Sequence, residues 1–320
     1  MEDDRLLLLN LKNEGEDKVS RKSSDKNEEE KSELCQWTER IPDGFVPVGA
    51  TIQELVSGLY MPIWNGASNS TILKKENKKH FNNIITFQGS VFEEILNEVK
   101  IFWDSEEEFT KNGFIHKRGL LFLGSPGGGK TSLLHLLQNQ IIELGGIVLL
   151  FKSPDTFMDG LKMIKDVEPR RKILAVLEDI DDIIHEYGER CLLEILDGSI
   201  QYNNCLFVAT TNYPEKLPDR IIKRPGRFDK IIYIENPTQE IKSEYLKIKL
   251  GIDSEQIEAS SQILKKFSFS HLSEVVKLCK CFSFTFETAV NKVNSSIKEN
   301  FSSEKFDRNN KTGYIKEGEE

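Results

Sequence analysis

The chain has little cysteine. Its five residues, Cys35, Cys191, Cys205, Cys279 and Cys281, form no C-x-x-C pair, and their number is odd. A stapled secreted framework is excluded, and free thiols in a reducing compartment are expected. Cys279-Lys-Cys281 has no second Cys or His pair at ligand spacing, so no zinc site is expected there. Long apolar runs are missing too. The one purely leucine run, Leu6–Leu9, follows Glu2, Asp3 and Asp4. It is too short for a membrane span or a secretory signal, and a cytoplasmic location is expected. Positive charge is also in deficit: 43 Lys and Arg against 52 Asp and Glu leave a net −9, with a pI near 5.3. Broad nonspecific nucleic-acid binding normally needs a basic face, so that class is disfavoured.

What is present centres on Gly124-Ser-Pro-Gly-Gly-Gly-Lys-Thr131. The spacing G-x-x-x-x-G-K-[ST] is that of a phosphate-binding loop. Leu120–Leu123 runs into it and reads as a buried strand, and Ser132-Leu-Leu-His-Leu-Leu-Gln138 opens an amphipathic helix behind it. A Gly-rich turn matching by chance would lack both flanks. Gly124, Gly127, Gly128 and Gly129 carry no Cβ, so the backbone can close on an anion at a helix N-terminus. Ser125 and Pro126 complete the loop, and Ser132 follows it. Lys130 would reach the β- and γ-phosphates, and the Thr131 hydroxyl would ligate Mg²⁺.

Around this loop the chain divides by texture. Residues 1–40 are crowded with charge and predict a disordered acidic arm. Residues 41–83 hold short β-like runs, Phe45–Val48, Leu59–Trp64 and Thr71–Leu73, and predict a small β-rich lead-in. From 84 to 237 the pattern alternates. Ser90, with Glu93 three residues on, caps a helix carrying Val91, Phe92, Ile95, Leu96, Val99, Phe102 and Trp103. Buried strands are predicted at 147–151, 173–177, 205–209 and 231–234, mostly with helices between. That is an α/β domain with a parallel sheet and its ligand at the C-terminal strand ends. Four helices are predicted over 238–300, the third capped by Ser270 and the fourth by Thr285, and 301–320 predicts a disordered tail.

The third strand ends in Glu178-Asp179, followed by Ile180-Asp181-Asp182. Carboxylates at the end of a central strand beside a phosphate loop suit a nucleoside triphosphatase, one for the Mg²⁺ shell and one for the attacking water. Helix capping is the plainer account of such residues, and it suits Asp181 and Asp182 better than the first pair. Asn212 ends the fourth strand, where its amide can bond a γ-phosphate and a water, although Asn is also a common turn former. Lys223-Arg224-Pro-Gly-Arg227-Phe-Asp229 is a stiff cationic loop suited to phosphate, or else a solvated surface loop.

Taken together, Arg118–Thr131, Leu177-Glu-Asp-Ile-Asp181, Leu196-Asp-Gly198, Ala209-Thr-Thr-Asn212 and Arg224-Pro-Gly-Arg-Phe-Asp229 resemble the AAA ATPase family, in its order and spacing. The resemblance covers about residues 84–298. It implies a P-loop α/β module followed by a helical lid, hydrolysis of ATP to ADP and phosphate with Mg²⁺, and a homo-oligomeric ring, a hexamer or heptamer. By the same resemblance Gly124–Thr131 is the Walker A loop, Glu178 and Asp179 the Walker B pair, and Asn212 the first sensor. Arg224 and Arg227 become arginine fingers for a neighbouring subunit, and Gly113-Phe114-Ile115 sits where the family holds adenine. The sequence also departs from the pattern. Ser125 and Gly128 replace the usual Pro and Thr, and the lid reads Phe267-Ser-Phe-Ser-His271. The acidic pair runs Glu-Asp, which resembles the branch of the mitochondrial translocase that assembles the cytochrome bc complex, and makes Asp179 the general base. Lys152–Gly160 does not reproduce the aromatic loop of peptide threaders, with Phe157 and Met158 facing a pore or packing inward. The implied function is ATP-driven remodelling or movement of a macromolecule, a protein before any other. The competing class is a slow nucleotide-gated switch or scaffold.

Overall fold

The computed structural model describes residues 34–41, 44–49, 51–77, 84–87, 90–197, 202–222 and 226–298. The chain falls into two compact units, divided between Gln53 and Glu54. In the first unit, β1 (Leu34–Ile41) pairs antiparallel with β2 (Gly44–Gly49), Trp37 opposite Pro47 and Thr38 opposite Val46. Residues 1–33 of the expected arm lie outside the described residues, and its last residues are strand. Trp37 and Thr38 are good β-formers, and that local preference outweighs the charge around them.

The second unit is built on one seven-stranded sheet. Two strands, β3 (Gly58–Asn65) and β4 (Ser70–Glu76), form a hairpin. Helices α1 (Val91–Asp104) and α2 (Glu106–Lys111) follow, and then β5 (Lys117–Leu123), α3 (Lys130–Glu143), β6 (Ile147–Leu150), α4 (Pro154–Val167) and β7 (Ile173–Leu177). Next come α5 (Ile180–Tyr187), α6 (Glu189–Asp197), β8 (Cys205–Thr211), α7 (Asp219–Ile222) and β9 (Lys230–Tyr233). The strand order is β4-β3-β6-β7-β8-β5-β9, parallel throughout apart from β4. This is the α/β architecture that the alternating pattern predicts. The separate lead-in expected over 41–83 is corrected by the pairing. Leu59 and Tyr60 lie opposite Val148 and Leu149, so the hairpin extends the parallel sheet. An apolar run signals a strand but not its partner, and here the partner lies far downstream.

Period-two alternation explains why the sheet is buried on both faces. Leu121, Ile147, Leu149, Ala175, Leu177, Phe207 and Ala209 pack on one face with Phe157, Leu161, Ile180 and Leu196. Leu120, Phe122, Val148, Val176, Leu206 and Val208 pack on the other with Ile95, Phe102, Trp103, Leu133 and Leu137. Beyond the sheet come α8 (Gln239–Leu250), α9 (Ser254–Ala259), α10 (Ser261–Leu264), α11 (Phe269–Cys281) and α12 (Phe286–Lys298). Leu246, Ile257, Leu264, Phe267, Leu272, Val275 and Val290 give this helical region a core of its own. Two details differ from expectation. The helix predicted over 254–266 is broken at Ser260, and α11 is capped by Ser268 rather than Ser270, in a reciprocal box with His271. The box uses the side chain of His271, an unusual partner that a search for Glu or Gln passes over. The tail 301–320 lies outside the described residues. None of the described helices is long and apolar enough to cross a membrane.

Candidate functional site

The phosphate loop joins the C-terminal end of β5 to α3. Its backbone needs glycine for two separate reasons. Gly127 and Gly129 hold φ of 79° and 110°, in the left-handed region. At Gly124 a Cβ would sit 2.2 Å from the carbonyl oxygen of Ile234, so the loop presses directly on the chain leaving β9. The helical region closes from the other side: a Cβ on Gly127 would meet the hydroxyls of Ser268 and Ser270 at 2.7 Å.

A cavity of about 500 Å³ opens over this loop. Pro126, Gly127, Gly129, Lys130, Thr131 and Ser132 line one side, and Glu178, Asp179, Thr210 and Asn212 line another. Parallel pairing of β7 with β8, and of β8 with β5, sets these three strand ends side by side. The Lys130 ammonium donates to Gly124 O at 2.6 Å, to Ser125 O at 3.0 Å and to Asn212 Oδ1 at 2.7 Å. Burial lowers its pKa, against the opposing pull of Asp179. Asn212 Nδ2 stands 3.5 Å from Asp179 Oδ1, so the sensor amide bridges the lysine and the acidic pair. Desolvation, then the neighbouring Asp179 charge, raises the Glu178 pKa. Asp179 is raised as well, by desolvation first and then by Asp181 and Asp182. Two carboxyls held above their ordinary range in one cavity mark a chemical site. Asp179 is also left-handed, φ 49°, with its N–H donating to Thr210 Oγ1 at 3.1 Å. A non-glycine residue in that region needs its surroundings to hold it.

The cavity's remaining wall is Ile84, Ile85, Phe92, Tyr245, Phe269, Ser270 and Ser273. Tyr245 meets Phe269 edge-on, ring centroids 5.8 Å apart. The sequence did not assign these residues to the site. The Phe-Ser-Phe-Ser-His departure at 267–271 was the available signal. The structure does not bring Gly113, Phe114 and Ile115 here. They precede β5, whereas the loop follows it, and seven extended residues span about 20 Å. Phe114 is 69% exposed. The adenine assignment to these three is therefore corrected.

Arg224 lies outside the described residues. Arg227 is only 6% exposed. Its guanidinium donates to Arg220 O, and its Nε faces Asp197 Oδ2 at 3.6 Å. The neighbouring Asp229 exchanges hydrogen bonds with Gly119, each 2.8 Å, near the start of β5. Arg227 thus points into its own subunit, away from the cavity. The family resemblance and the Pro-Gly loop made it a projecting residue; in the structure it faces an ion-pair partner on α6. Phe157 is fully buried in α4, which resolves the choice between pore and packing in favour of packing.

A nucleotide-sized cavity over a glycine loop, at the carboxyl ends of a parallel sheet, is the arrangement of a P-loop α/β module. Residues 120–236, most of the α/β domain, match the model for the ATPase family associated with various cellular activities, AAA. The probable mitochondrial chaperone bcs1 of Schizosaccharomyces pombe is 30% identical over 193 residues, 56% of this chain and 42% of that protein. The proteasome-activating nucleotidase of Methanosarcina mazei is 30% identical over 49% of this chain and 41% of its own length. The ATP-dependent zinc metalloprotease FTSH 9 of Oryza sativa is 25% identical over 66% of this chain and 29% of its own. The chain thus spans less than half the length of each of these relatives.

Proposed function

We propose that this protein hydrolyses ATP to ADP and phosphate with Mg²⁺ in an oligomeric ring, and uses the cycle to remodel or move a protein. The observation that carries the reading is the meeting of Lys130, Thr131, Glu178, Asp179 and Asn212 in one cavity. Thr131 and Glu178 line the cavity together, a donor set that suits Mg²⁺, which binds through one or two protein oxygens together with substrate phosphates. The Thr131 hydroxyl and the Glu178 carboxylate would hold it, and the ion would neutralise phosphate charge. The Lys130 ammonium exchanges its carbonyl and amide partners for phosphate oxygens. Asn212 then releases that lysine and orients a water towards Asp179, which takes the proton. Ile84, Ile85, Tyr245 and Phe269 supply the apolar slot for the base.

The protein substrate class rests on relatives named as a chaperone, a proteasome activator and a protease. Threading is disfavoured. The connection from β6 to α4 is only Phe151–Ser153, and Phe157 is committed to the core. Lys130→Ala tests the reading at its root. ATP binding should vanish while the thermal unfolding midpoint is kept, and wild-type affinity for ATP in the variant sinks the proposal.

A further inference from the structure

Asp181 has no part in the chemistry proposed above. It lies in the first turn of α5, two residues after Asp179, and its side chain is only 3% exposed. A buried carboxylate is costly unless it is paired and hydrogen-bonded, and its partners lie on another element. Oδ1 accepts from Thr211 Oγ1 at 2.6 Å. Thr211 is itself fully buried at the end of β8, immediately before Asn212. The same Thr211 oxygen accepts the N–H of Tyr213 at 3.0 Å, so the residues on both sides of Asn212 are fixed through one hydroxyl. Oδ2 of Asp181 faces Lys216 Nζ at 3.5 Å, and that ammonium stands 3.9 Å from the centroid of the Tyr213 ring. One carboxylate therefore joins the turn that carries Glu178 and Asp179 to the turn that carries Asn212.

We infer that Asp181 is a positioning residue for hydrolysis, holding Asn212 against Asp179 through Thr211 and Lys216. The inference rests on the hydrolytic reading of the cavity. Displacing an orienting amide by about 1 Å can cost on the order of 10²-fold in rate with little effect on ground-state binding. The link needs an acceptor at 181 and a hydroxyl at 211. The conservative changes Asp181→Asn and Thr211→Ser keep both; Asp181→Ala and Thr211→Val each remove one.

Steady-state turnover, the affinity of a fluorescent ATP analogue measured without metal, and the thermal midpoint separate the possibilities. Asp181→Ala and Thr211→Val should each lower kcat about 10²-fold, with KM and analogue affinity within about twofold of wild type. Their combination should fall no further than the worse single variant, because both break one link. Asp181→Asn and Thr211→Ser should recover most of kcat. If Asp181→Ala does not fold, Thr211→Val and the conservative pair decide. Unchanged kcat in the folded variants, or losses that multiply in the double variant, overturns the inference. Asp179→Asn and Asn212→Ala serve as controls. If those two keep wild-type turnover, the reading of the cavity itself has failed.

Discussion

At the scale of single residues, two glycines are required by contact, one of them, Gly124, by its positive φ of 149° as well. A Cβ at position 119 would sit 2.0 Å from Arg227 O, and one at 124 would sit 2.2 Å from Ile234 O. Backbone cannot step aside as a flexible side chain can. Gly119→Ala should destabilise by about 1–3 kcal/mol or more, read as a lower denaturant midpoint. Its effect on nucleotide affinity should follow only from lost fold, since Gly119 stands well before the loop. Gly124→Ala should weaken ATP binding directly, because it moves the loop away from β9. The wall of the cavity gives a paired prediction. Tyr245→Ala should raise the dissociation constant for ATP roughly tenfold, a loss of about 1.4 kcal/mol from one aromatic face. Phe114→Ala should leave it unchanged, and an isothermal titration of the two variants would tell the assignments apart. A drop in affinity for Phe114→Ala with none for Tyr245→Ala would restore the adenine to Gly113–Ile115.

At the scale of elements, α4 decides how a substrate is handled. Its buried face carries Thr156, Phe157, Gly160, Leu161 and Ile164. Gly160 permits close approach to the hairpin, where a Cβ would meet Pro62 at 2.9 Å, and Thr71 donates to Asp159 at 2.7 Å. Phe157→Ala should cost about 3–5 kcal/mol of stability, as a large buried ring leaves a cavity. A pore residue would behave differently, losing substrate-stimulated turnover at unchanged stability. That contrast is visible in a denaturant melt. The same elements mark how far local sequence carries. The glycine loop, the five parallel strands from β5 to β9 and the acidic pair were legible because each is encoded within a few consecutive residues. The place of β3 and β4 was not, since pairing with β6 is a long-range choice between equally apolar strands. The adenine slot was misread for a related reason. Chain order put Gly113–Ile115 near the loop, but an intervening strand carries them to its far end. Tyr245 and Phe269 reach the cavity only once the helical region folds back over the sheet.

At the scale of the whole molecule, the open question for the proposed ring is which arginine crosses between subunits. Arg227 is engaged at home by Asp197 and by Arg220 O, and its loop is clamped to Gly119 by Asp229. An exposed pair at that distance would contribute little, but a buried guanidinium left without its carboxylate is costly. Arg227→Ala should therefore lower stability, and Asp197→Asn should lower it in the same direction. Arg224, three residues earlier in the sequence, is then the candidate to reach a neighbour's phosphates. A cation supplied from next door is worth on the order of 10³-fold or more in rate, so a diluted monomer should be nearly inactive and specific activity should rise with protein concentration. Mixing two inactive variants tests this. Arg224→Ala lacks the donor half of each shared site, and Asp179→Asn lacks the acceptor half. In mixed rings some interfaces join an intact acidic site to an intact arginine, so part of the activity should return. The same mixture made with Arg227→Ala should recover no better than its own loss of stability allows. If mixed rings form, seen by native mass spectrometry, and Arg224→Ala with Asp179→Asn stays dead, then Arg224 acts within its own subunit.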